Sequence, residues 1–143
     1  MKVQQISVFL ENKAGRLASV GQALKDSGIN IRALTIADSA DFGVLRMIVG
    51  DPEKAYSILK QAGFMVKTNP VVAVEIADRE GLFYEIMNLC DKEGLNVEYT
   101  YSFVEQSSSR AILFIRFEDA DKAVELFQKN GYKLLSSEEM RKL

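Results

Sequence analysis

The chain has no histidine. That removes the commonest general base and the commonest metal ligand together. It has one cysteine, Cys90, so no intrachain disulfide can form, and a reducing, cytoplasmic setting is expected. No apolar run approaches the roughly 20 residues that a membrane helix needs. The opening residues, Met1-Lys2-Val3-Gln4-Gln5, lack the apolar stretch of a secretory leader. Nor is there a basic block or stripe. Lys and Arg, 18 in all, are mixed with 20 Asp and Glu for a net charge of −2, which argues against nucleic acid as a partner. What remains is ordinary core-forming material. Of 143 residues, 48% are hydrophobic, enough for a soluble protein with a real interior.

That material is arranged as a repeat. Leu10-Glu11-Asn12-Lys13-Ala14-Gly15-Arg16-Leu17 runs from an apolar strand through a polar turn and a glycine into a helix, which ends at Gly28-Ile29-Asn30-Ile31. The same design returns 66 positions later as Ile76-Ala77-Asp78-Arg79-Glu80-Gly81-Leu82-Phe83, ending at Gly94-Leu95-Asn96-Val97. Val8, Gly15, Gly28 and Asn30 recur as Val74, Gly81, Gly94 and Asn96. Past Asp38 the offset becomes 68, because the segment Val104-Glu105-Gln106-Ser107-Ser108-Ser109 is longer, and Leu45, Asp51, Lys54, Ala55 and Gly63 match Leu113, Asp119, Lys122, Ala123 and Gly131. An internal duplication fixes the architecture before any single element does.

Periodicity gives the elements. Ile6, Val8 and Leu10 alternate with Ser7 and Phe9 as in a strand. From Gly15 the period lengthens, and Leu17, Val20 and Leu24 form a helical stripe that Gly28 ends in the left-handed conformation. Residues 29–36 and 43–49 read as a hairpin around Asp38-Ser39-Ala40-Asp41. Asp51-Pro52-Glu53 opens a second helix with a cap, a first-turn proline and an acid at the positive helix end. Its stripe is Ala55, Ile58, Leu59 and Ala62, and Phe64-Met65-Val66 is a short closing strand. The order β-α-β-β-α-β predicts an α+β, ferredoxin-like unit, an antiparallel sheet with two helices on one face. Copy two repeats it, giving domains 1–69 and 70–143 joined by Thr68-Asn69-Pro70. Residues 136–143 read as a polar tail with room for one helical turn. Val44, Ile48, Ile112 and Phe114 make the second sheet face more apolar than a solvated face should be. Cover from the sister unit or a homodimer is therefore expected.

The glycine turns hold the chemistry. The first turn of a helix leaves N–H groups without partners, and the dipole makes that end positive. An anion fits there if the chain comes close, which Gly15 permits. Lys13 and Arg16 add positive charge, whereas Asp78 and Glu80 around Gly81 suit an ammonium or hydroxyl group. On the residues alone, Asn12 and Asp78 serve equally well as plain helix caps. No catalytic constellation stands out. Cys90 shares a helical stripe with Phe83 and Ile86 and reads as a small buried hydrophobe.

Asn12-Lys13-Ala14-Gly15-Arg16-Leu17 followed by Gly28-Ile29-Asn30-Ile31 closely resembles the ACT domain signature, Asn-x-Pro-Gly-x-Leu, a helix, then Gly-Ile-Asn-Ile. The resemblance covers the whole chain as two tandem copies. Ala14 and Glu80 stand where the family often has proline, and Asp78 replaces the asparagine. The resemblance implies a small-molecule, chiefly amino-acid-binding regulatory protein that modulates a partner metabolic enzyme and senses its ligand at interfaces between ACT units. It marks Asn12, Ala14, Gly15, Arg16, Leu17 and Asn30, and in copy two Asp78, Glu80, Gly81, Leu82 and Asn96. It implies no enzyme activity, cofactor or metal. An RNA-recognition module shares the element order but needs aromatics on a strand that here, over 43–49, has none. A metal chaperone of this fold needs Cys-x-x-Cys, which is absent. The remaining alternative is a pure interaction module, a regulatory subunit without a working ligand site.

Overall fold

A computed structural model describes residues 1–104 and 109–143. The chain forms two compact units, Gln4–Asn69 with Arg141–Leu143, and Pro70–Met140 with Met1–Val3. Copy one runs β1 (Val3–Glu11), α1 (Arg16–Asp26), β2 (Ile31–Asp38), β3 (Phe42–Val49), α2 (Pro52–Gln61) and the start of β4 (Met65–Ala77). Copy two takes the rest of β4, then α3 (Leu82–Lys92), β5 (Val97–Val104), β6 (Arg110–Phe117), α4 (Ala120–Lys129) and β7 (Lys133–Leu134). A last short helix, α5, spans Ser137–Arg141. Both units are ferredoxin-like, with antiparallel strands in the order β2-β3-β1 in copy one and β5-β6-β4-β7 in copy two.

Alternation decides what each strand buries. In copy one Ile6, Val8 and Leu10 of β1 and Leu45, Met47 and Val49 of β3 meet Val20 and Leu24 of α1 and Ala55 and Leu59 of α2 in one cluster. In copy two the matching cluster joins Val72, Val74, Leu113, Ile115 and Phe117 to Leu82, Ile86, Ala123 and Phe127. Completely burying one such side chain contributes about 1.5–3 kcal/mol. The recurring polar residues hold the second helix of each copy. Asp51 and Asp119 accept the Lys54 and Lys122 backbone N–H, each at 3.1 Å, as N-caps. The ammonium groups of the same two lysines donate to the carbonyls of Ser27 and Glu93, at 2.9 and 3.0 Å, where the first helix of each copy has just ended. This accounts for the recurrence of the Asp-x-x-Lys spacing.

Four expectations change. Thr68-Asn69-Pro70 is not a linker loop but part of β4, which runs unbroken through it. Proline lacks a donor and so reads as a break, yet its fixed φ suits extended chain, and the residue before it is biased the same way. Leu17 is half exposed rather than part of the α1 stripe, which is Val20 and Leu24. The α3 stripe is Leu82, Ile86 and Cys90, and Phe83 lies outside it, exposed. Ala62, expected in the α2 stripe, is exposed at the C-cap of α2. The tail forms the expected helical turn, α5. Ser136 and Glu139 cap each other, Glu139 accepting the Ser136 N–H at 2.8 Å and Ser136 Oγ the Glu139 N–H at 3.2 Å, and Met140 is buried. Of the outer-face residues that motivated a homodimer, Ile48, Ile112 and Phe114 are already buried within one chain. Val44 is half-buried. The long segment before Ser109 includes residues 105–108, outside the described residues.

Candidate functional site

Both glycine turns are built the same way. Gly15 (φ 88°, ψ −14°) and Gly81 (φ 80°, ψ −10°) are the N-caps of α1 and α3, in the left-handed region, and neither helix has a side-chain cap. Asn12 and Asp78 are therefore not the caps. The Asn12 N–H donates to the Asp41 carbonyl at 2.9 Å and the Asp78 N–H to the Ser109 carbonyl at 2.8 Å, tying each turn to its unit's β-hairpin. A glycine is needed for its conformation as much as for close approach, since an L-residue held left-handed costs about 1–2 kcal/mol.

The charges around the turns differ. In copy one Lys13 Nζ lies 2.8 Å from Glu11 Oε2, and Arg16 reaches the same carboxylate only at 4.0 Å. The Lys13 hydrogen bond, then the Lys13 and Arg16 charges, hold the Glu11 carboxyl below its usual range. In copy two Arg79 grips Glu85 with both guanidinium nitrogens, at 2.8 and 3.1 Å. This lowers the Glu85 pKa and raises that of Arg79. Asp78 and Glu80 are exposed beside it. Cys90 is buried, and burial pushes its thiol pKa up, as for an inert packing residue.

Asn12, Ala14, Gly15, Arg16 and Leu17 gather at one turn, and Asp78, Glu80, Gly81 and Leu82 at the other. Asn30 and Asn96 do not join them. β2 runs parallel to β1, so its start lies beside the beginning of β1 and its end beside the turn. Asn30 accordingly sits at the far end of its unit, its carbonyl accepting the Gly50 N–H at 3.0 Å, and Asn96 likewise accepts from Glu118. Leu82 is buried in the copy-two core, whereas Leu17 lines a small cleft with Ile36.

Next to the copy-one turn lies a cavity of about 700 Å³. Its walls come from three separated segments: Phe9, Leu10 and Glu11 at the end of β1, residues 37–39 and 42–44 of the hairpin, and Gly63, Phe64 and Met65 at the start of β4, with Arg16 at the rim. Phe9, Phe42 and Met65 are 38%, 60% and 68% exposed. This is large for three apolar side chains sharing one hollow, and such surfaces mark binding sites. The Lys67 ammonium lies 5.7 Å from the centre of the Phe9 ring.

Phe9, Phe42 and Met65 did not stand out in the sequence as site residues. The strand registers now show what occupies their places in copy two. Phe9 faces Val44 as Glu75 faces Ile112, and Glu11 faces Phe42 as Ala77 faces Arg110. By register Phe9 and Phe42 thus correspond to Glu75 and Arg110, and by the sequence offset of 68 Met65 corresponds to Lys133. Glu75, Arg110 and Lys133 form one ion cluster. Arg110 and Lys133 each lie 3.1 Å from an oxygen of Glu75, which is only 19% exposed. Glu11 and Arg16 become Ala77 and Leu82. The usable signal was an apolar-to-charged exchange at three matched positions, visible only by comparing the copies residue by residue.

The fold defines a class, paired ferredoxin-like units with a glycine turn at the first helix of each. The family described as an ACT domain pair matches residues 1–143, and the chain belongs to it. The crystal structure of protein BT0572 from Bacteroides thetaiotaomicron is 39% identical, with a TM-score of 0.94 over 100% of this chain and 98% of that one. The ligand-free regulatory subunit of aspartate kinase from Thermus thermophilus is 18% identical, TM-score 0.61, over 88% and 90%. Escherichia coli aspartokinase III in complex with lysine and aspartate is 18% identical, TM-score 0.53, over 90% of this chain and 31% of that one. No curated protein sequence matches. Among the described residues no helix is long and apolar enough to cross a membrane, and no group of three His, Cys, Asp or Glu is placed to hold a metal ion.

Proposed function

We propose that this ACT domain pair is a regulatory protein, not an enzyme, that binds a free amino acid at the copy-one turn and passes the bound state to a partner metabolic enzyme. The observation that carries the reading is the cavity lined by Glu11 and Arg16, which flank the turn. The uncapped start of α1 offers backbone N–H groups to a carboxylate. Arg16 adds a charged donor, and Glu11 and Asp38 add acceptors for an ammonium group. Of Asn12, Ala14, Gly15, Arg16 and Leu17, only Arg16 lines this cavity; Asn12 and Leu17 line the small cleft next to it, and Ala14 and Gly15 line neither. The copy-two turn, with Asp78, Glu80 and Gly81, is assigned no carboxylate.

A homodimer in the cytoplasm belongs to the same proposal. Its support is the edge strand β2, where Leu34 and Ile36 are exposed and the buried Arg32 Nε has no partner among the described residues. Light scattering of the purified chain reads this directly, and a monomeric mass at high concentration rejects it. The regulatory reading is tested by thermal unfolding in the presence of each standard amino acid. A ligand at a hundred times its Kd stabilises by about 2.7 kcal/mol, so one or a few amino acids should raise Tm by several degrees. A flat response to all of them, with a partner enzyme still co-purifying, favours a ligand-free interaction module instead.

A further inference from the structure

We infer that each chain carries a single ligand cavity, in copy one, that its occupant is an amino acid with a large apolar side chain, and that copy two has closed the equivalent place with the Glu75-Arg110-Lys133 ion cluster. The inference rests on the amino-acid-binding reading above and gives it a specificity.

The argument begins with the walls. Phe9, Phe42, Phe64 and Met65 come together around a cavity of about 700 Å³, within the roughly 300–1,000 Å³ range of small-molecule sites. Leaving such side chains exposed forgoes their burial energy, and an apolar side chain laid among them recovers it. Among the described residues Arg16 pairs with Glu11 at 4.0 Å, a distance that leaves its guanidinium able to take a carboxylate. Glu11 and Asp38 line the same cavity and suit an ammonium group. A zwitterionic head at the turn and an apolar tail between the aromatic walls satisfy both ends. A polar or charged side chain laid against Phe9 and Phe42 would lose hydration that an apolar one does not have to give up.

Copy two supplies the control within the chain. Its backbone registers match those of copy one, but Glu75, Arg110 and Lys133 satisfy one another at 3.1 Å where copy one shows Phe9, Phe42 and Met65. Leu82, at the position of Arg16, is turned into the core, and the Arg79 guanidinium at this turn is already taken by Glu85. Among the described residues the apolar hollow lies in copy one, and a self-satisfied ion cluster stands at the matched positions of copy two.

The test transplants the cluster. Isothermal titration of the full chain with L-phenylalanine, L-leucine, L-serine, L-lysine and L-aspartate should find phenylalanine or leucine bound at one per chain. Their affinity should exceed that for the polar amino acids by about tenfold or more, the worth of one buried apolar group. The variant Phe9→Glu/Phe42→Arg/Met65→Lys places copy two's cluster in copy one, at three exposed positions, and should lose that binding while keeping its circular dichroism. Arg16→Leu should lose it too. If the triple variant misfolds, Phe42→Arg alone, at the exposed hairpin, serves the same purpose. Preferred binding of serine, lysine or aspartate overturns the specificity and leaves the regulatory reading standing. Silence toward every amino acid removes both. Two sites per chain overturn the closure of copy two. A folded triple variant that binds phenylalanine as before, or that changes only its mass by light scattering, shows the hollow to be no ligand site.

Discussion

Copy one and copy two share a fold, a glycine turn, a capped second helix and a lysine that closes the end of the first helix, yet they differ where the sheet meets the turn. Everything that holds the fold recurs: Gly15 and Gly81, Asp51 and Asp119, Lys54 and Lys122. What differs lies on the rim, Phe9, Phe42, Met65 and Arg16 against Glu75, Arg110, Lys133 and Leu82. A duplicated fold thus separates two kinds of constraint. Positions the two copies hold in common serve the backbone, and exchanges between apolar and charged residues at matched positions are where the proposal places a use that one copy has and the other lacks.

The largest expected effect falls on the shared scaffold. Leu59 and Phe127 occupy the same place in the two cores and are both fully buried. Leu59→Ala should cost about 2–5 kcal/mol and Phe127→Ala about 3–5 kcal/mol in urea unfolding. A negligible loss at either position would break the equivalence of the cores. Next come the turns. Gly15→Val and Gly81→Val should each lose about 1–2 kcal/mol from the left-handed φ alone. Only Gly15→Val should also weaken amino-acid binding. Because that change strains the turn as well, binding must be compared at a temperature where both variants are folded. Asp51→Ala and Asp119→Ala remove matched caps and should cost about 0.5–2 kcal/mol each, nearly equally, by thermal unfolding.

The smallest effect is acid sensitivity. Glu11, through Lys13 and Arg16, and Glu85, through Arg79, have folded-state pKa values below their usual one. Groups with lowered pKa values add stability that is present above the ordinary carboxylate range and lost as pH falls through the folded values. Both pairs are exposed, so screening keeps the contribution small. Glu11→Gln and Glu85→Gln should each slightly flatten the decline in Tm below pH 4.5. A steeper decline in either variant would contradict the assigned pairs.

The repeat, the element order and the glycine turns were legible in the sequence because they rest on local rules: period, capping and a residue without a Cβ. Cys90 as a packing residue was legible for the same reason. What escaped depends on neighbours distant along the chain. Pro70 looks like a break until its place in β4 is known. Leu17 fits a helical stripe by spacing but lies on the open side of α1, and Met140 looks like part of a polar tail until α5 docks it. Asn30 and Asn96 share the repeat with the turns, yet a full helix carries each to the other end of its unit. The cavity was the least legible feature. It exists only because strand register brings residues near 9, 42 and 65 together, and no local pattern announces that meeting.

The central claim, one ligand site per chain and in copy one, is met most directly by amide chemical shifts in the isotope-labelled full chain titrated with L-phenylalanine. The account predicts saturable shifts concentrated on residues 9–17, 37–44 and 63–65, with the matched residues 75–83, 110–112 and 131–133 little changed. Shifts centred on the copy-two residues, or equal in both copies, would contradict it.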